Sequence, residues 1–215
     1  MNTRYGGLHV LVDDDPVWNR DPVAQAELAC AGGAQVIQLR AKRAADKQAY
    51  LWAMKLREMT RAAGIRFVVN DRFDIALESG ADAVHLGQED ISPEEVRELV
   101  GDAIHIGRST HTLEEATRAL FEPVDYVAFG PVFGTTSKKS PYTARGLPAL
   151  EEVVRRVAPL PVVAIGGIGP GHLKELGATG VKGIAVISQV AGAADATAAT
   201  RELAFAFACS GRPSS

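Results

Sequence analysis

An α/β fold, a closed (β/α)8 TIM barrel, is predicted by three features of the 215-residue chain. Short apolar runs rich in Val and Ile recur eight times. Most are followed by a stretch with helical spacing. Polar and charged residues gather where the runs end, which is the face on which such barrels carry their chemistry.

The runs are Leu8–Val12, Gln35–Leu39, Arg66–Val69, Asp82–Leu86, Ala103–Gly107, Val124–Phe129, Pro161–Ile165 and Val181–Ile187. Apolar on both faces, they read as parallel strands covered on both sides. Between them, Pro22–Ala31 has helical spacing and stops at Gly32-Gly33, and Asp46–Ala63 stops at Gly64. Ser92-Pro93-Glu94-Glu95 carries a cap residue, a first-turn proline and a Glu three residues on, a capping box. Thr112-Leu113-Glu114-Glu115 repeats that spacing, and a last helix covers about Asp195–Ala208. An open doubly wound sheet is the alternative, but it wants a glycine-rich turn after the first strand. Here the first run leads into Asp13-Asp14-Asp15-Pro16.

The length suits one domain, 1–215, with a flexible tail over about 209–215. Lys and Arg number 23 against 26 Asp and Glu, a net charge of -3, which argues against nucleic acid or an anionic membrane as partner. Hydrophobic residues make up 47%, enough to exclude a disordered chain. No apolar run approaches the ~20 residues of a membrane span. The opening MNTRYGGLHVLVDDD reaches acidic residues too early for a signal peptide, and Cys30 and Cys209 lack metal or redox spacing. A reducing cytoplasm is the expected setting, and association into a homo-oligomer stays open.

The strand ends suggest chemistry. In Gln38-Leu39-Arg40-Ala41-Lys42, alternation aims an amide and two cations to one side, which suits a diphosphate or equally a solvated strand end. Asp71 and Asp90 follow neighbouring strands and are within reach of a shared Mg2+, or serve as turn residues; Asp74 reads as the cap of its own helix. Ser109 and His111 follow the fifth strand. The long loop after the sixth, through Thr135, Ser137, Lys138 and Lys139, reads as an anion clamp or a solvated basic loop. Gly166-Gly167 after the seventh strand and Ile187-Ser188 after the eighth lie where barrels bind phosphate through backbone N–H groups. Two anion sites with a metal between them point to group transfer between small phosphorylated substrates.

The segments GGAQVIQLRAK, NDRFDIAL, ADAVHLGQED, IGRSTHTLEEA, DYVAFGPVFGTTSKK, PVVAIGGI and GIAVIS, in that order, resemble the thiamine phosphate synthase family from Leu8 to about Val190. The resemblance implies a transferase of thiamine biosynthesis. It would join 4-amino-2-methyl-5-hydroxymethylpyrimidine diphosphate to hydroxyethylthiazole phosphate. It implies that Gln38, Arg40, Lys42, Asn70, Ser109, Thr135, Ser137 and Lys138 hold the diphosphate, with Arg40, Lys42, Ser109 and Lys138 catalytic. Asp71 and Asp90 would hold Mg2+, and Gly167, Ile187 and Ser188 the thiazole phosphate. Departures from the family pattern are Ala41, expected to point away from the site; Ser137, which keeps a hydroxyl; and Arg108, expected to add an anion contact or crowd the pyrimidine. A related thiazole tautomerase, with His111 as its acid/base, is the rival reading; it has no need of this cation set or of both aspartates. A non-catalytic binder of thiamine-pathway phosphates is a third.

Overall fold

The computed structural model describes residues 4–134 and 142–211. Eight parallel strands close in sequence order: β1 (Gly7–Asp13), β2 (Val36–Arg40), β3 (Arg66–Asn70), β4 (Ala83–Leu86), β5 (His105–Thr110), β6 (Tyr126–Phe129), β7 (Val162–Ile165) and β8 (Gly183–Val186). Gly7 of β1 lies opposite Gly183 of β8, so no edge is left unpaired. Around the strands lie α1 (Pro22–Ala31), α2 (Asp46–Ala63), α3 (Phe73–Ser79), α4 (Pro93–Val100), α5 (Leu113–Arg118), α6 (Gly146–Val157), α7 (Leu173–Ala178), α8 (Ser188–Ala191) and α9 (Ala196–Ser210). The (β/α)8 barrel is the fold the sequence predicts.

The local signals act as their chemistry requires. α1 and α2 run between the predicted residues. Ser92 Oγ accepts the Glu95 amide at 3.2 Å while the Glu95 carboxylate accepts the Ser92 amide at 3.1 Å, a complete capping box. At Thr112 only half of the box forms. Its Oγ takes the Glu115 amide at 3.1 Å, but the Glu115 carboxylate reaches one residue further back, to the His111 amide at 2.6 Å. Asp74 does not cap its helix. Arg72 stands at that position, and its guanidinium holds Asp74 at 2.6 and 2.8 Å. α9 continues through Cys209 to Ser210, two residues into the expected tail; residues 212–215 lie outside the described ones. No helix among the described residues is long and apolar enough to cross a membrane.

Strand alternation separates two apolar layers. Leu8, Ile37, Phe67, Ile106 and Leu150 pack between sheet and helices, each contributing about 1.5–3 kcal/mol on burial. Leu11, Val36, Val68, Tyr126 and Val163 fill the barrel interior. Tyr5 closes the N-terminal mouth. Its ring stacks on Tyr126 at 4.6 Å, and its hydroxyl donates to the Asp82 carbonyl at 3.1 Å and lies 2.7 Å from His105 Nδ1.

His9 is a buried titratable group of that interior. One ring nitrogen, Nε2, donates to the Tyr5 carbonyl at 2.9 Å, and burial pushes its pKa from 6.5 down to about 4. Between these values the unfolded chain binds a proton that the folded chain refuses, so stability falls as pH drops from about 6.5 towards 4. Going from pH 7 to pH 5, this residue alone is expected to remove ~2 kcal/mol. Urea unfolding at the two pH values measures the loss, and His9→Gln should reduce it by that amount. An identical pH dependence in both proteins would clear His9 of the effect.

Candidate active site

The C-terminal rim is built by register. Asp13 on β1 lies opposite Arg40 on β2, and Asn70 on β3 opposite His85 on β4. Alternation turns Asp13, Gln38, Arg40, Asn70, His85 and Ser109 inward on five successive strands, although their neighbours in sequence face the helices. Several of these polar groups lie inside the strands. β5, for example, extends to Thr110 rather than ending at Gly107.

Arg40 forms an ion pair with Asp13, whose side chain is 3% exposed. The other Asp13 oxygen accepts the Asp15 amide at 2.8 Å and the Trp18 indole N–H at 3.4 Å. The guanidinium is thus fixed from behind by a buried carboxylate. Asp14 steers the chain beyond β2, accepting the amides of Lys42, Arg43 and Ala44 at 3.0, 2.8 and 2.7 Å. Lys42 pairs with Asp71. Gln38 is buried beside them, and Ala41 packs outward against the helix-facing layer, as its parity requires.

Asp71 sits at φ 63, in the left-handed region that few side chains other than Asn and Asp occupy. Its amide donates to the His85 carbonyl at 2.8 Å, which ties the end of β3 to β4. Burial first, then the adjacent Asp90 carboxylate, raise the Asp71 pKa, and the Lys42 ammonium opposes them. Two carboxylates pressed together at a cleft rim could hold a cation. No third His, Cys, Asp or Glu is grouped with them among the described residues. That donor set fits Mg2+, which binds through one or two carboxylates and keeps waters and substrate phosphates as its other ligands. Asp90 Oδ2 also accepts the Gly87 amide at 2.7 Å.

Ser109 is held by an interior relay that the sequence reading missed. His85 Nε2 lies 2.9 Å from Ser109 Oγ, and His85 Nδ1 lies 3.0 Å from the Tyr126 hydroxyl. Burial raises the Tyr126 pKa well above its usual value, so the phenol stays protonated. The available signal was parity: Ser109 and His85 share the inward set, while Tyr126 is polar at one end inside an apolar run.

Arg108 departs from expectation. One residue from Ser109, it faces the helices, where it is 6% exposed; it stays out of the barrel interior and reaches the rim only from behind, at the Gly87 carbonyl. His111 Nδ1 lies 2.6 Å from the Gly130 carbonyl, and its ring stacks on Tyr142 at 4.0 Å.

On the far side of the rim, Gly166 and Gly167 turn the chain at φ 100 and 66. The segment leaving β6 pairs with this turn: the Val132 amide donates to the Ile165 carbonyl at 2.9 Å, and the Phe133 amide to the Gly166 carbonyl at 3.0 Å. A Cβ on Gly167 would stand 2.2 Å from the Gly134 carbonyl oxygen. This glycine is therefore required by loop packing as well as by any approach to an anion. Ile187 and Ser188 follow β8 at the start of α8. Thr135, Ser137 and Lys138 lie outside the described residues.

Comparison with known proteins agrees with this geometry. A family model described as thiamine monophosphate synthase matches residues 8–190. The thiamine-phosphate synthase of Anaeromyxobacter dehalogenans is 47% identical over 95% of this chain and 89% of its own length. That of Methanoculleus marisnigri is 44% identical over 91% of this chain and 92% of its own. A solved structure, thiamine phosphate pyrophosphorylase from Pyrococcus furiosus, superposes with a TM-score of 0.88 at 39% identity, covering 96% of this chain and 98% of that one. By family model, sequence identity and fold together, the chain belongs to the thiamine-phosphate synthase family.

Proposed function

We propose that the chain condenses 4-amino-2-methyl-5-hydroxymethylpyrimidine diphosphate with hydroxyethylthiazole phosphate, giving thiamine phosphate and diphosphate. The observation that carries this reading is one rim that presents Arg40, paired with Asp13, and Lys42, paired with Asp71, whose carboxylate lies against that of Asp90. The bond from the pyrimidine methylene carbon to the diphosphate oxygen breaks, and the electron pair leaves with the diphosphate. The thiazole nitrogen then supplies the pair for the new carbon–nitrogen bond. Mg2+ held by Asp71 and Asp90 would supply positive charge for the departing diphosphate.

The chain's own groups do the rest. Arg40, fixed by Asp13, is a cation already aimed where negative charge develops and needs no reorganisation. Lys42 adds a second cation, and Gln38 and Asn70 add amides on the same side. Ser109 acts as a hydroxyl donor. In the tautomer with the His85 proton on Nε2, the Tyr126 hydroxyl would donate to Nδ1 and Nε2–H to Ser109 Oγ, leaving the serine proton to point into the cleft. Thr135, Ser137 and Lys138 complete the diphosphate shell, and Lys138 brings a further cation. Gly167, Ile187 and Ser188 hold the thiazole phosphate, which places the attacking nitrogen near the methylene carbon.

The tautomerase reading loses ground to the relatives, which are synthases, and to the cation and carboxylate set, which an isomerase does not need. Turnover of the two substrates, with and without Mg2+, tests the proposal, read as diphosphate released and thiamine phosphate formed. The expected result is one product per diphosphate and activity lost on chelation. Folded protein that yields neither product would overturn the synthase reading. Equal activity in chelator would overturn the metal assignment alone.

A further inference from the structure

Arg108 belongs to a closed ring of contacts on the outer side of the barrel. Its NH1 donates to the Gly87 carbonyl at 2.5 Å, and its Nε faces Glu122 Oε2 at 3.4 Å. Glu122 Oε1 lies 3.6 Å from Arg118 Nε, and Arg118 NH2 donates to Gln88 Oε1 at 2.8 Å. Gln88 Nε2 donates to the Ser109 carbonyl at 2.6 Å, and the Gly87 amide donates to Asp90 Oδ2 at 2.7 Å. Both ends of the ring therefore act on the short segment that presents Asp90.

The ring is costly where it lies. The Arg108 and Glu122 side chains are 8% and 11% exposed, and Arg108 Nε and Glu122 Oε2 have no hydrogen-bond partner among the described residues. Apolar side chains of similar volume would serve stability as well or better at such a position. The pair does what apolar residues cannot: it grips a backbone carbonyl and, through Arg118, a side-chain amide.

We propose that Arg108 and Glu122 are positioning residues that hold the Gly87–Asp90 segment so that Asp90 faces Asp71. The proposal rests on the reading of Asp71 and Asp90 as the Mg2+ site. It assigns a role to a side chain that touches neither substrate nor metal.

The test is the double variant Arg108→Leu/Glu122→Leu, which removes both charges and leaves no buried charge unpaired. Three quantities are read: the Mg2+ concentration for half-maximal turnover, the affinity for Mn2+ alone by calorimetry, and amide exchange over residues 87–91. A merely structural pair predicts changes in melting temperature alone. Positioning predicts a half-saturating Mg2+ concentration and a Mn2+ dissociation constant raised about 10-fold, the usual effect of losing a partner one shell out from a metal. It also predicts faster exchange over 87–91, with a melting temperature unchanged or raised. Arg108→Lys, which keeps the charge but not the planar fork, is expected to fall between. Should the double variant fail to fold, the half-exposed Arg118→Ala, which frees Gln88, must shift the same readouts in the same direction. Wild-type metal affinity and exchange in the soluble variant would overturn the proposal. If the unsubstituted protein binds no Mn2+, the metal reading falls, and the exchange data alone decide whether the ring holds the segment.

Discussion

Asp71→Asn is expected to lower turnover by about 10³-fold, the several kcal/mol of transition-state charge stabilisation that a bound metal supplies. The same variant should melt at an unchanged or higher temperature. The reason is the sign of the Asp71 shift. Burial and Asp90 raise its pKa, so the folded chain keeps that proton to a higher pH than the unfolded chain does. Stability contributed by this group therefore falls as pH rises through the window above the ordinary Asp value, and at neutral pH the ionised pair works against the fold. An asparagine of the same size removes that repulsion and forfeits only the Lys42 pair. Steady-state kinetics beside thermal melts separate the outcomes. Parallel loss of activity and stability would make Asp71 structural, and undiminished turnover would move the metal elsewhere.

The second large effect concerns Arg40 and the carboxylate behind it. Arg40→Gln is expected to reduce kcat about 10²–10³-fold, as loss of one preorganised donor to developing charge typically does. Unlike the Asp71 change, it should also cost stability, by about 3 kcal/mol, because Asp13 is left buried without its cation. The double variant Asp13→Asn/Arg40→Gln removes both charges. It should recover most of that stability and none of the activity, since asparagine can still accept the Asp15 amide and the Trp18 indole. A double variant as inactive as the single one but restored in urea unfolding is the expected pattern. Recovery of activity would show that Arg40 serves the fold and not the diphosphate.

What the sequence made legible follows from how local its signals are. α1 and α2 are marked by apolar residues at helical spacing and a glycine stop within a turn of the helix end, and the structure has the bounds the sequence predicts. β5 was placed too early because its last residues, Arg108, Ser109 and Thr110, are polar. Ser109 turns inward at the rim, while Arg108 and Thr110 face outward and are satisfied there by the Gly87 and Ala128 carbonyls. Asp13 counted only as evidence against a glycine-rich turn. Its partner Arg40 is distant in sequence and comes beside it through strand register. His85 and Tyr126 were hidden in apolar runs for the same reason. Arg108 was the reverse case: its nearness to Ser109 in sequence suggested a shared site, whereas alternation sends the two to opposite faces.

The seam between the ends of β6 and β7 bears on how this protein can change over generations. Gly130, Gly166 and Gly167 each face backbone so closely that an added Cβ would lie 2.1 Å from the Ile165 carbonyl oxygen, 2.5 Å from Pro131 Cα and 2.2 Å from the Gly134 carbonyl oxygen. Backbone cannot swing aside as a side-chain tip can, so even alanine is excluded at all three places. A block of glycines that drift cannot enter thus borders the side of the rim proposed for the acceptor. The opposite side, proposed for the diphosphate, is lined by side chains that can be exchanged one at a time. Variation in what the enzyme accepts should therefore accumulate through the side chains around the seam and not through the seam itself.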